Sequence, residues 1–101
     1  MSIPYGSSPV YDEKSLPEAL RKEHRTKSGT WGLLRVLEGE VVLRFTNPVS
    51  SKSVTPDNPA PIPPEAPHFV EVPDKVKLVV EFHRQYPLPE SNTAPSGAEK
   101  I

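Results

Sequence analysis

The chain has 101 residues and a mass of 11.2 kDa, room for one small domain, and nothing in it approaches the ~20 consecutive apolar residues of a membrane helix. A net charge of -1 with dispersed basic residues excludes a general nucleic-acid grip, and the count of 0 cysteines excludes disulfides, zinc knuckles and thiol nucleophiles. The 14 prolines, where average usage would give about five, argue against a helical bundle, because proline lacks the donor that helices and sheet centres require.

The start, Met1-Ser2-Ile3-Pro4-Tyr5, has neither the basic nor the apolar stretch of a secretory signal, so a cytoplasmic location is expected. Residues 1–15 read as an irregular arm, with Tyr5, Val10 and Tyr11 available to lie against a core. From Ser15 to Arg25 two readings compete. Leu16, Ala19, Leu20 and Glu23 fall at helical spacing behind a Ser15/Glu18 capping box, whereas Leu20, Lys22 and His24 alternate as a strand. A strand from about Ala19 is the adopted expectation.

Trp31 to Leu37 carries apolar side chains on both faces, Glu38-Gly39 follows as a turn, and Val41, Leu43 and Phe45 alternate beyond it. This predicts a hairpin, with Trp31 as the main core residue. The polar stretch Asn47 to Asn58 offers one short strand around Val49 and Val54. Pro59 to Pro67 lacks nearly every second backbone donor and is expected to run extended along an edge. His68, Val70 and Val72, a Pro73-Asp74-Lys75 turn, and Val76, Leu78, Val80 and Phe82 predict a second hairpin, with Glu81 and His83 as solvated outer-face residues. From Pro87 the chain has almost no apolar side chains and cannot offset roughly 1–2 kcal/mol per residue of ordering entropy, so 87–101 is expected to be a loose tail. Residues 16–86 then form the domain, a small all-β barrel or sandwich.

Imidazoles that converge from separate strands can ligate a metal, and His24 and His68 each stand at a strand entrance. The string Glu23-His24-Arg25-Thr26-Lys27-Ser28-Gly29-Thr30-Trp31-Gly32, then Val36-Leu37-Glu38-Gly39, then Pro63-Pro64-Glu65-Ala66-Pro67-His68-Phe69-Val70-Glu71, closely resembles a known pattern. It is that of the small cupin-like domain found at the N-terminus of some tellurite-resistance methyltransferases and as stand-alone proteins. The resemblance covers about Leu16 to Arg84. It implies a cupin-type double-stranded β-helix, a jelly-roll barrel with its site in the open mouth.

General cupins hold a divalent metal with two histidines and a glutamate from the first motif and one more histidine from the second. Here Thr26 stands where the second histidine would be, and the glutamate's place falls near Gly32 and Leu33, so the resemblance leaves His24 and His68. Glu71, which the family pattern also carries, is the candidate third ligand, provided that a bulge re-aims it. The metal, if bound, is zinc, iron or nickel. Lys27 is the candidate to attract an oxyanion and Trp31 the candidate pocket wall. A methyltransferase site would need a further domain.

Three functions follow as expectations. One is a metal- or small-ligand-binding protein of a stress response. A second is a minimal metal-dependent oxygenase or isomerase. The third is a non-catalytic homodimeric interaction module.

Overall fold

Alternating apolar residues and short proline-broken segments produce eight strands and one 3-10 turn in the computed structural model, which describes residues 3–88. The strands are β1 (Gly6–Ser7), β2 (Tyr11–Asp12), β3 (Trp31–Glu38), β4 (Val41–Thr46), β5 (Val49–Val54), β6 (Ala60–Ile62), β7 (His68–Glu71) and β8 (Lys77–His83). All pairings among them are antiparallel. A five-stranded sheet runs β1-β8-β3-β6, with β2 also on β8, and a three-stranded sheet runs β5-β4-β7. Among the described residues there is no α-helix, and no helix is long and apolar enough to cross a membrane. The core combines Leu34, Val36, Ile62 and Leu78 from the larger sheet with Val41, Leu43, Val54 and Val70 from the smaller.

β3, β4, β7 and β8 are where alternation puts them, whereas the arm expected to be irregular contributes β1 and β2, both paired with β8, and the pairing of the other strands also differs from expectation. β3 and β4 do not form a hairpin: β3 lies between β8 and β6, and β4 lies between β5 and β7. The second expected hairpin also separates, β7 joining β4 and β8 joining β3. The cause is the two-sided burial of β3, whose Leu33 and Leu34 are both 0% exposed. A strand buried on both faces needs a neighbour at each edge. With both edges occupied, the chain leaves through the Glu38-Gly39 corner into the other sheet. Gly39 has φ +87, and a Cβ there would sit 2.5 Å from the carbonyl oxygen of Lys75, on the β7–β8 connection, which also crosses between the sheets. The two corners therefore pass each other closely enough to require glycine.

The true hairpin is β4–β5, closed across a cis Asn47–Pro48 peptide and paired from Val41↔Val54 to Thr46↔Val49. β5 has only two apolar residues, enough for an edge strand that faces solvent along most of its length. The proline run does supply an edge: β6 pairs Gly32↔Ile62, Leu33↔Pro61 and Leu34↔Ala60 at the margin of the larger sheet.

Three further expectations change. Ala19 opens no strand; Glu18–Arg21 is a 3-10 turn after Pro17, anchored by buried Leu16 and by Leu20 against the core. Trp31 is not the main core residue. It is half-buried on the outer face of the larger sheet, its ring edge-on to Tyr86 with centroids 5.2 Å apart. His83, paired in register with Trp31, is 1% exposed rather than solvated. The chain after β8 returns to Trp31, since Tyr86 lies edge-on to its ring, and Pro87 is buried. Of the expected tail, residues 89–101 lie outside the described residues.

Candidate functional site

The two motif segments, far apart in sequence, meet through a reciprocal backbone bridge. The amide of His24 donates to the carbonyl of His68 and the amide of His68 to the carbonyl of His24, both at 2.9 Å. Thr26 fastens the same junction. Its hydroxyl donates to the Pro63 carbonyl (3.1 Å), and the Glu65 amide donates to the Thr26 carbonyl at 3.0 Å. Glu65 takes a left-handed φ of 63 there, which turns the chain toward His68. Glu23 accepts a 2.8 Å hydrogen bond from the Thr46 hydroxyl. Thr26, at the position where the sequence resemblance would put a metal ligand, is thus spent on structure.

The bridge sets the His24 and His68 rings 4.2 Å apart, centroid to centroid, tilted by 58°. His68 is 2% exposed and His24 half-buried. Each ring turns Nδ1 to a backbone carbonyl, His24 to Lys22 at 3.0 Å and His68 to Ala66 at 2.7 Å. A carbonyl only accepts, so in both rings Nδ1 carries the hydrogen and, in the neutral form, Nε2 is an acceptor. Burial pushes the His68 imidazole below its ordinary value; the bond to Ala66 opposes this, and the neighbouring His24 adds to it. No hydrogen-bond partner meets Nε2 of His68 among the described residues.

Both rings line a cavity of about 300 Å3. Its walls are mainly apolar, with Leu34, Ile62, Leu78 and Phe82 from the larger sheet, Val70 from β7 and Leu20 from the 3-10 turn, and with Ser8, Tyr11 and Thr26 also in the lining. Arg25 and Ala19, both exposed, stand at its rim. The apolar walls and Arg25 were not singled out by sequence reasoning. The signal available was the inward alternation of β3 and β8 and the position of Arg25 beside His24.

The other sequence candidates lie elsewhere. Glu71 faces outward opposite Val42 and is held by the Arg44 guanidinium, with no bulge to re-aim it. Lys27 is exposed and lines a second, more open cavity of about 410 Å3 with Tyr5 and Thr30, which adjoins the first at Thr26 and Phe82. Trp31 lines neither cavity. The structure therefore joins His24 to His68 and leaves Glu71, Lys27 and Trp31 apart. Among the described residues no group of three or more His, Cys, Asp or Glu side chains is placed to hold a metal ion.

Comparison with known proteins matches the chain to a family. Residues 6–80 match the TehB-like domain. Two Haemophilus influenzae proteins named as probable S-adenosyl-L-methionine-dependent methyltransferases TehB are 32% and 34% identical over 87 and 89 residues, 80% of this chain in each case. The chain spans only 30% of the length of those relatives. The crystal structure of TehB from Haemophilus influenzae superposes with a TM-score of 0.74 at 29% identity, over 83% of this chain and 32% of that one. A protein from Escherichia coli of similar size shares the fold, with a TM-score of 0.75 at 21% identity over 81% of this chain and 89% of its own. The chain belongs to the TehB-like domain family.

Proposed function

We propose that the chain is a small-ligand-binding domain, built as a cupin-type jelly-roll barrel whose ligand sits between the two sheets. One observation carries this reading: an apolar cavity of about 300 Å3 with two imidazoles in its wall. That volume is at the lower end of the range of small-molecule sites, and apolar walls with a few convergent polar groups are their usual composition. The relatives' methyltransferase function belongs to chains about three times longer and is not part of the proposal.

Metal binding is the second reading. It is favoured by the Nδ1–H bonds to backbone carbonyls, the support that ligating histidines usually have. The donor set does not fit the cupin metal. Thr26 is engaged with Pro63 and Glu71 with Arg44, which leaves two imidazoles where catalytic zinc sites use three protein ligands. No catalytic step is derived from it.

The test is an NMR titration with toluene, a neutral probe of suitable size. Saturable amide shifts at Leu20, Val80 and Phe82, abolished by Ala19→Trp at the rim, are the expected result. Toluene shifts scattered over the surface, or unchanged in Ala19→Trp, would remove the reading. Stoichiometric metal in the purified protein, lost in both His24→Ala and His68→Ala, would replace it with the second.

A further inference from the structure

The ligand-binding reading leaves open what the ligand's polar end must be, and the tautomers of the histidine pair decide it. His68 is 2% exposed, its Nδ1–H is spent on Ala66, and it lines the cavity with no partner for Nε2 among the described residues. A buried acceptor without a donor is a standing cost to the fold. Beside it, His24 has spent its own Nδ1–H on Lys22 and offers a second acceptor. At the histidine pair the cavity thus presents lone pairs rather than hydrogens; of the hydroxyl residues that also line it, Ser8 donates to the Pro9 carbonyl and Thr26 to the Pro63 carbonyl, while Tyr11 stands on β2.

A water could donate to both rings, but neither ring has a hydrogen left to give its oxygen. Ordered buried waters usually make about three hydrogen bonds, so such a water is poorly held. An inorganic oxyanion or a carboxylate brings only acceptors to these atoms. It would find its attraction at the rim, where Arg25 is solvated. What satisfies the cavity is an O–H attached to an apolar body.

We propose that the cavity beside His24 and His68 selects a small neutral hydroxyl compound, a phenol or an alcohol with an apolar body of about one ring, whose hydroxyl donates to Nε2 of His68. This rests on the ligand-binding reading and deepens it. It also moves the site away from oxyanion chemistry, for which Lys27 was the sequence candidate.

The test compares phenol, toluene and benzoate by NMR titration of the full chain at pH 7.5, with the histidine rings 15N-labelled. A purely apolar cavity prefers toluene, because phenol must shed the water on its hydroxyl. An acceptor at Nε2 inverts that order. The expected result is phenol tighter than toluene by about tenfold, benzoate weakest, and an Nε2 resonance of His68 that moves with phenol and stays still with toluene. In His68→Phe, which keeps the ring but not the acceptor, toluene should regain the lead. Toluene or benzoate binding as tightly as phenol in the unaltered protein, with no movement of the Nε2 resonance, would overturn the donor requirement while leaving the cavity a ligand site. Binding by none of the three would overturn both. The ring-nitrogen signal does not depend on any variant folding.

Discussion

Two histidines are buried in this domain, on opposite faces of its architecture, and their surroundings differ in kind. His83, 1% exposed on the outer face of the larger sheet, sets Nε2 3.2 Å from Glu81, whose other oxygen accepts from Arg35 at 2.9 Å. His68, 2% exposed on the inner side, spends one nitrogen on a backbone carbonyl and turns the rest of the ring to a cavity. Burial alone does not separate a structural imidazole from a functional one. The second nitrogen does: the outer residue uses it within the fold, and the inner one has it left over.

The comparison can be broken most forcefully through the adjacent leucines of β3. Leu33 and Leu34 are both 0% exposed, but Leu34 lines the cavity and Leu33 does not. Truncation of either to alanine should cost about 2–5 kcal/mol in urea unfolding. Only Leu34→Ala should also change toluene affinity, because it alone enlarges the cavity. An equal effect of both on the ligand would erase the distinction between the two faces.

The histidines themselves sharpen it. His83→Phe leaves Glu81 short of a partner and should destabilise by about 1–3 kcal/mol. His68→Phe gives up the bond to Ala66 but also removes a buried acceptor that nothing satisfies, so unfolding should move by less than about 1 kcal/mol. A larger loss at position 68 than at 83 would mean that the inner ring is the structural one.

Thr26→Val tests whether the junction that presents His68 is structural. Losing the hydroxyl bond to Pro63 should cost roughly 1 kcal/mol and weaken ligand binding without removing it. If stability is unchanged, the hydroxyl has no share in holding the 63–65 turn.

The smallest effect is on pH dependence. The His68 imidazole is held below its ordinary 6.5, so in the window below 6.5 the unfolded chain takes up a proton that the folded chain does not. Stability is then full above 6.5 and falls as pH drops through it. The neighbouring His24, which also lines the cavity, opposes a charge on His68 and acts in the same direction; Arg25 and Tyr11 are the other titratable groups in the lining. Asp12, lowered by backbone amide bonds from Ser15 and Lys14, loses its contribution only in the more acid range below its ordinary 3.8. Denaturation midpoints between pH 7.5 and 5.5 should decline in the parent and flatten in His68→Phe. An equal slope in both would assign the loss to other groups.

Much of this fold is legible in the amino-acid sequence. Alternation locates β3, β4, β7 and β8, and the proline run declares an edge. Gly39 announces a corner, but not that the corner leads out of the sheet. A residue's own alternation records which side of its strand is buried, while the identity of the neighbouring strand is stored in residues elsewhere. Glu71 shows the same limit: its place in the motif suggests a ligand, and the Arg44 across the sheet takes it instead.

Local chemistry dictated the all-β character, the positions of β3, β4, β7 and β8, the absence of disulfides and the motif segments that carry His24 and His68, because each depends on residues within a few positions of one another. The assembly of two sheets dictated the rest. It buried His83 on the outer face of the larger sheet, put Trp31 outside the main core, and brought together two imidazoles whose amides bond to each other's carbonyls. Those outcomes depend on which surfaces remain uncovered once both edges of β3 are filled, a competition settled only when the whole chain packs.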